Sequence, residues 1–319
     1  MIDASFPKAS IIVPCKRIDK YTKECISKCK EIDYPDFEII VIPDEDEHLN
    51  DEKVKVISTG NVAPGLKRNI ASKFARGEIL AYIDSDAYPE KNWLKNAVNY
   101  LSKEVGAVGG PAPTAKEDSK FAQATGIVLS SFLVTGNLSK RYFSENYVKE
   151  VDEIPSVNFI SRKNVIEAVG GWNEKYWPGE DTLLCHSIRK LGFKLLFASD
   201  VVVYHHRRSS LLAFLKQIYN YGLHRGFFVK KFTDSSFKIT YFIPTLFTLW
   251  LTLGIIFSVF IENFFWLYIS TIVLYLAADT SIALKNIKYA NLVFFLIPLT
   301  HIVYGISFLK GLIIKDLAR

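Results

Sequence analysis

The sequence predicts an α/β domain with a parallel sheet, followed by a helical membrane region. In its N-terminal third, short apolar segments of strand length alternate with segments of helical character. Residues 239–319 carry 8 charged side chains, against 64 in the first 238 residues. Strands of a parallel sheet are buried on both faces, and membrane segments exclude charge, so one chain is expected to fold in two environments. An apolar content of 49% excludes a disordered or collagen-like protein.

The strands and helices of the first domain follow from this alternation. Strands are predicted for the apolar runs Ser10–Pro14, Glu38–Ile42, Lys55–Ser58, Ile79–Ile83 and Val105–Val108. Helices are predicted between them at Lys20–Lys30, Leu66–Ala75 and Asn92–Leu101. Ligands bind at the carboxyl ends of such strands, so the polar residues just past them are candidate site residues. These residues are Lys16, Asp44, Asp84 and Asp86.

A phosphate-bearing ligand would have to be held without the usual glycine-rich loops. Neither GxGxxG nor GxxxxGK[ST] occurs in the sequence, and the four cysteines form no CxxC, which favours reduced thiols over a metal site. The acidic pair of Asp84-Ser85-Asp86 follows a buried strand and can reach one hard divalent cation. Such a cation would bridge a diphosphate and offset the charge of a departing nucleotide.

The central part of the chain resembles glycosyltransferase family 2. The segment that carries the likeness is PGLKRNIASKFARGEILAYIDSDAYPEKNWL, and IIVPCKR, EIIVIPDE, GGWNEKYWPGEDTLLCHSIRKLGF and VVVYHH resemble further family motifs in family order. The likeness runs from about Ser10 to Arg225. It implies a GT-A (Rossmann-like) mixed-sheet domain at residues 1–206. It also implies inverting transfer of a sugar from a UDP- or GDP-linked donor.

The same resemblance assigns roles to individual residues. The nucleotide-sugar would be bound by Pro14, Lys16, Asp44, Arg68, Asp84 and Asp86. A divalent metal, Mn²⁺ or Mg²⁺, would be held by Asp86, Asp84 and His205, with His206 as the alternative to His205. The acidic pair Glu180-Asp181, the family's ED motif, would supply the catalytic base Asp181 beside Glu180. Trp172 and Trp177 would form flat walls for the acceptor or sugar, with packing in the core as the alternative. The second strand lacks the family's usual glycine after its acids, so Asp46 stays an alternative to Asp44.

The C-terminal quarter is predicted to contain three membrane helices, at residues 239–261, 263–284 and 289–309. Each is long enough to cross about 30 Å of hydrocarbon. Lys285 and Lys288 favour a cytoplasmic link between the second and third helices, with the catalytic domain on the same side. A third crossing would leave the basic C-terminal residues outside, and Pro298 leaves open that the third segment re-enters instead.

Residues 207–238 are predicted to be a basic amphipathic segment at the membrane surface. They carry seven Lys or Arg and one acid, and their apolar residues recur near helical spacing. Charge next to a membrane anchor indicates anionic lipid and not nucleic acid as the partner. The anchor suggests a lipid or lipid-linked acceptor. Transfer to polyprenyl phosphate, a polysaccharide synthase and a non-catalytic nucleotide-sugar-binding scaffold are the alternatives.

Overall fold

The computed structural model describes residues 6–143 and 147–317. The chain divides into two compact units. The first unit contains residues 1–116 and 141–206, and the second contains residues 117–140 and 207–319. The change of unit after residue 206 coincides with the predicted domain boundary. Residues 117–140, which the sequence analysis placed in the first domain, group instead with the C-terminal helices.

The first unit is built on two sheets. In the described residues the main sheet has the strand order β3-β2-β1-β4-β8-β6-β9-β7, and a small sheet pairs β10 with β5. The strands are β1 (Ala9–Pro14), β2 (Phe37–Ile42), β3 (Val54–Val56), β4 (Ile79–Ile83), β5 (Ala87–Pro89), β6 (Val105–Gly109), β7 (Val148–Glu150), β8 (Asn158–Arg162), β9 (Lys194–Ala198) and β10 (Val203–His205).

The main sheet is mixed. Strands β1 to β4 run parallel to one another, and so do β6 and β9. Strand β8 is antiparallel to both β4 and β6, and β7 is antiparallel to β9. The parallel sheet expected from the apolar runs is therefore incomplete, because the antiparallel strands β7 and β8 were not among the predicted strands. The mixed sheet expected from the family resemblance is confirmed.

Helices cover both faces of the main sheet and build the second unit. They are α1 (Lys20–Lys30), α2 (Pro64–Phe74), α3 (Trp93–Tyr100), α4 (Lys120–Ser130), α5 (Phe132–Thr135), α6 (Lys163–Ala168), α7 (Glu180–Lys190), α8 (Leu211–Lys231), α9 (Thr233–Ser236), α10 (Ile243–Phe260), α11 (Glu262–Lys285) and α12 (Ala290–Ile313). Short 3-10 turns lie at Gly136–Tyr142, Ile239–Phe242 and Ile287–Tyr289.

The core of the first unit lies on the two faces of the main sheet. Successive residues of β1 alternate between them, with Ile11 and Val13 in one cluster and Ile12 in the other. The first cluster includes Trp93 of α3, and the second includes Trp172. Burying an aliphatic or aromatic side chain of this size contributes about 1.5–3 kcal/mol. The sheet is thus a rigid support for the loops at its strand ends.

Within the described part of the second unit, three helical segments are apolar and long enough to cross a membrane. They are Ile239–Phe260, Asn263–Lys285 and Ile287–Ile313. The predicted segments 239–261, 263–284 and 289–309 correspond to them one by one. The last helix continues through Pro298 to Ile313, four residues beyond its predicted end.

The basic segment 207–238 differs from its prediction. Its helix α8 packs along α12, and its apolar residues Phe214, Ile218 and Phe227 are buried in the second unit. Close packing depends on glycine, because a Cβ built on Gly226 would lie 2.1 Å from the carbonyl oxygen of Phe308. The apolar face expected to lie on lipid is therefore occupied by protein.

Candidate active site

Asp86 and His205 form a partly exposed pair in the candidate site. The loop after β4 continues into β5, and the register of the small sheet places Ala87 opposite His205. The backbone N–H of His206 donates to the carbonyl oxygen of Asp86 at 2.8 Å. With the two backbones tied in this way, Oδ1 of Asp86 lies 3.1 Å from Nε2 of His205. The two side chains are 24% and 14% exposed, so an oxygen and a nitrogen donor meet at an accessible point.

His206, the alternative metal ligand, points to the opposite side of the strand. Its Nε2 lies 3.1 Å from a carboxylate oxygen of Glu24 in α1. Its ring lies against Tyr21, with 4.5 Å between the ring centroids. Neighbouring residues on a strand face opposite ways, so only His205 approaches Asp86.

Arg68 connects the loop after β4, which contains Asp84, to the ED motif at the start of α7. Its guanidinium donates to Asp84 at 2.8 Å, to Glu180 at 2.8 Å and to Oγ of Ser156 at 3.0 Å. It also lies over the ring of Trp172, 4.7 Å from the centroid. Arg68 is 2% exposed and its guanidinium is directed to protein partners, so its contact with the donor phosphates stays a prediction. Two carboxylates already balance its charge.

The position of Asp84 changes the predicted metal site. Because Arg68 binds its carboxylate, Asp84 does not join Asp86 and His205. Among residues 6–143 and 147–317, no group of three or more His, Cys, Asp or Glu side chains is arranged to hold a metal ion. The three-residue ligand set expected from the sequence is reduced to the pair Asp86 and His205. Asp86 offers a hard oxygen donor and His205 a borderline nitrogen donor, a pair that fits Mn²⁺ and, less well, Mg²⁺ when a diphosphate and water supply the remaining oxygens.

The two acids of the ED motif lie in different environments. Helix α7 begins after Gly179, whose φ of +117° is easily adopted only by glycine. Glu180 turns inward to Arg68 and is 2% exposed, so the prediction that it takes part in catalysis alongside Asp181 is not supported. Asp181 is half-buried, and one of its oxygens accepts the backbone N–H of Thr182 at 2.8 Å.

Burial and neighbouring charges together shift the pKa values of Glu180 and Arg68. Burial raises the pKa of Glu180 to about 7, and Arg68 opposes that rise. Burial alone would lower the pKa of Arg68, but the Asp84 and Glu180 carboxylates outweigh it and the pKa is raised. Arg68 therefore keeps its positive charge although its own side chain is buried.

Asp44 is oriented by a lysine that the sequence analysis assigned no role. Nζ of Lys67 donates to the Asp44 carboxylate, to the carbonyl oxygen of Cys15 and, at 3.2 Å, to that of Ile42. Lys67 is 3% exposed and so joins the ends of β1 and β2 to the acid beyond them. Asp46 is exposed and lies beside His48, so the structure favours Asp44 at the strand end.

The remaining predicted residues separate into buried and open positions. Pro14 is buried at the end of β1, while Lys16 is exposed and its carbonyl oxygen accepts the N–H of Asp44 at 3.0 Å. Trp172 is 2% exposed and packs edge-on against Tyr82, which favours the core alternative over a sugar wall at this position. Trp177 is 49% exposed, as a ligand contact requires.

Three residues that sequence reasoning missed hold the site together. Besides Lys67 these are Ser156, which accepts from Arg68, and Asn69 of α2. The Asn69 side chain accepts the N–H of Trp172 at 2.8 Å and donates to its carbonyl oxygen at 2.9 Å. The segment containing Lys67, Arg68 and Asn69 was visible in the sequence, but the partners of these residues lie far away along the chain.

Comparison with known proteins identifies the same family as the sequence motifs. The sequence profile of "Glycosyl transferase family 2" matches residues 10–167. A dolichyl N-acetyl-alpha-D-glucosaminyl phosphate 3-beta-D-2,3-diacetamido-2,3-dideoxy-beta-D-glucuronosyltransferase of Methanococcus voltae is 25% identical over 242 residues, covering 70% of this chain and 74% of that protein. A poly(ribitol-phosphate) beta-N-acetylglucosaminyltransferase, TarS, of Staphylococcus aureus is 33% identical over 109 residues, which is 30% of this chain and 19% of that protein.

A solved structure extends the likeness over nearly the whole chain. It is the mannosyltransferase PcManGT from Pyrobaculum calidifontis in complex with GDP-Man and Mn²⁺. It superposes with a TM-score of 0.57 at 18% identity and covers 98% of this chain and 89% of that one. At this identity the likeness shows the fold. The chain belongs to glycosyltransferase family 2 and is a glycosyltransferase with a catalytic domain of GT-A fold.

Proposed function

We propose that the protein is a membrane-anchored, metal-dependent, inverting glycosyltransferase that moves a sugar from a nucleotide-sugar to a hydroxyl of a lipid-linked acceptor. The observation that carries this proposal is that the acids of the candidate site have different positions and different partners. Asp86 meets His205 in an open position, while Asp181 lies at the start of α7. Arg68 binds Asp84 on one side and Glu180, the neighbour of Asp181, on the other.

The donor would be held at the strand ends. Asp86 and His205 would hold the divalent metal, which when bound neutralises the charge of the leaving diphosphate. Oxygen and imidazole donors suit Mn²⁺ or Mg²⁺, and the mannosyltransferase of similar fold was solved with Mn²⁺. Asp44 would accept a hydrogen bond from the nucleobase or ribose, in an orientation fixed by Lys67. Lys16 is exposed beside it and would contact the nucleotide.

The acceptor hydroxyl would be activated by Asp181. A hydroxyl must lose its proton as the new bond forms, and a carboxylate in hydrogen-bonding reach removes it. Attack from the side opposite the leaving nucleotide inverts the configuration at the anomeric carbon. The inner acid Glu180 would act only through Arg68, by fixing the start of α7. Trp177, exposed just before this helix, would line the acceptor side.

The membrane helices favour a lipid-linked acceptor. Three apolar segments are long enough to span a bilayer, and we propose that they do, with the catalytic domain on the cytoplasmic side. The Methanococcus relative is named for transfer to a dolichyl-linked sugar. An acceptor of this kind brings a hydroxyl to the membrane surface, where a membrane-anchored enzyme can reach it.

A donor and acceptor screen tests this proposal. Full-length protein in liposomes would be incubated with UDP- and GDP-sugars and a polyprenyl-linked sugar, and the lipids analysed by mass spectrometry and by NMR of the new linkage. We expect one lipid product heavier by a single sugar, with inverted anomeric configuration, and none from an Asp86→Ala variant. Transfer only to polyprenyl phosphate would favour that acceptor, and repeated addition would indicate a polysaccharide synthase. Binding of the donor without any transfer would indicate a scaffold.

A further inference from the structure

The chain leaves the first unit after residue 116 and returns to it at residue 141, and residues 117–140 form an excursion between these points. Both flanks belong to the first unit, which includes Lys116 and Arg141, whereas the excursion itself groups with the apolar helices. The flanks are joined, because the backbone N–H of Ala112 donates to the carbonyl oxygen of Arg141 at 2.7 Å. The flank before the excursion is also tied to the strand of the candidate metal ligand, since the N–H of Ala115 donates to the carbonyl oxygen of His205 at 3.2 Å.

The excursion is apolar and bent. Residues 121–139 form a 19-residue stretch without Asp, Glu, Lys or Arg. The helical stretches Lys120–Ser130 and Phe132–Tyr142 meet at an angle of 58°. At 1.5 Å per residue, the first of them reaches about 16 Å, roughly half the thickness of the hydrocarbon core. Phe132 at the bend is 71% exposed.

The backbone at the bend is satisfied by side chains. Oγ1 of Thr135 donates to the carbonyl oxygens of Leu129 at 2.9 Å and Ser131 at 3.2 Å. Oγ of Ser130 donates to that of Ile127 at 3.0 Å. Water does this at an ordinary surface bend, but a broken helix within hydrocarbon needs protein partners for the carbonyls it frees.

A further partner comes from one of the candidate membrane helices. Nε2 of His301 in α12 lies 3.1 Å from the carbonyl oxygen of Leu133. A carbonyl only accepts, so Nε2 carries the proton, and Nδ1 accepts from the hydroxyl of Tyr275 in α11 at 2.9 Å. His301 is the twelfth residue of its 24-residue helix, so the bend is held near the middle of the apolar bundle.

We propose that residues 117–140 form a re-entrant hairpin that dips into the lipid bilayer beside the three apolar helices and turns there at Phe132. It cannot be a complete crossing, because both ends return to one unit and each arm spans only half the hydrocarbon. Its partner is the acyl-chain region of the same leaflet. This inference rests on the membrane anchoring put forward under the proposed function.

Nitroxide labels in the full-length protein test the hairpin. Labels at Phe132→Cys and, at the same bend, Val134→Cys would be compared in liposomes with Leu253→Cys on α10 and Leu191→Cys in the first unit. The side chains of Leu253 and Leu191 are 44% and 52% exposed, and the unsubstituted protein, whose four cysteines are buried, gives the blank. The readout is the accessibility of each label to oxygen, which enriches in lipid, relative to a water-soluble nickel complex.

If the hairpin lies in lipid, the ratio of oxygen to nickel accessibility at positions 132 and 134 should match the ratio at position 253. It should exceed the ratio at position 191 several-fold. A water-like ratio at both bend positions, with a lipid-like ratio at 253, overturns the hairpin and leaves the anchoring intact. A water-like ratio at 253 refutes the anchoring itself, and the hairpin with it. His301→Leu should mobilise the label at 132, and His301→Gln, which keeps a donor, should restore its order. Unchanged order in His301→Leu would show that His301 does not hold the bend.

Discussion

At the scale of single residues, Arg68 connects the two parts of the candidate site. It is a buried cation with two carboxylate partners, and it touches both the loop that contains Asp86 and the helix that presents Asp181. Removing one partner from a buried ion pair leaves an uncompensated charge in a medium that solvates it poorly. The same arrangement explains why Asp84 and Asp86 play different parts although they are two residues apart.

Replacement of Arg68 should therefore cost stability as well as activity. We expect Arg68→Ala to lower the free energy of unfolding by about 3–5 kcal/mol, because Glu180 and Asp84 lose their partner. Arg76→Ala, at an exposed position just after α2, the helix that contains Arg68, should change the free energy of unfolding by no more than about 0.5 kcal/mol. Chemical denaturation in detergent, followed by near-UV circular dichroism, measures both. Equal stability of the two variants would remove Arg68 from the centre of this network.

At the scale of elements, the small sheet of β5 and β10 decides which histidine reaches Asp86. Its antiparallel register fixes His205 opposite Ala87, and strand geometry then turns His206 toward α1. The pairing of these two three-residue strands thus determines which histidine side chain lies beside Asp86, where we propose the donor binds.

Metal dependence should follow this register. His205→Ala is expected to raise the Mn²⁺ concentration for half-maximal activity at least about tenfold, since it removes one of two protein ligands. His206→Asn, which removes the contacts with Glu24 and Tyr21 on the other side of the strand, should shift it much less, and excess EDTA should abolish activity in every case. A larger shift for His206→Asn would assign the metal to the other histidine.

The packing of α8 on α12 is a second element-scale feature, and glycine controls it. Gly226→Ala should lower the free energy of unfolding by about 1–3 kcal/mol, because the new methyl group meets the backbone of Phe308 and overpacks the contact. Leu212→Ala, at a side chain 79% exposed on the same helix, is the matched control and should lie within about 0.5 kcal/mol of the unsubstituted protein. Thermal unfolding in detergent compares them. A neutral Gly226→Ala would mean that the two helices have room to separate.

The strands β1 to β4 and β6, the first helices and the apolar segments were predictable from sequence because their signals are local. The surroundings of Arg68 were not, since its partner Glu180 lies 112 residues away and periodicity gives no information on such a contact. Trp172 shows the same limit, because an aromatic side chain in a motif is equally compatible with a ligand surface and with the core. Residues 117–140 had a signal in their uncharged stretch, but each arm is shorter than a membrane span.

At the scale of the whole molecule, one chain combines a sheet domain of GT-A fold, which we propose holds a water-soluble donor, with helices suited to lipid. Eight charges in the last 81 residues, against 64 before them, are what such a combination requires. An enzyme of this kind is expected to act on an acceptor confined to the membrane surface. Its chemistry then depends on whether that acceptor attacks with a hydroxyl or with a phosphate.

The central claim, that Asp181 is the base for a hydroxyl acceptor, is tested most directly by Asp181→Asn. This change keeps the shape of the side chain and removes its basicity, and a positioned base is typically worth 10²–10⁴ in rate. Turnover would be measured with the lipid-linked acceptor, and nucleotide-sugar affinity by calorimetry on the same full-length preparation. We predict a loss of turnover of about that size with nearly unchanged donor affinity. Near-normal turnover in the folded variant would contradict the account and favour polyprenyl phosphate, whereas loss of donor binding would place Asp181 on the donor side.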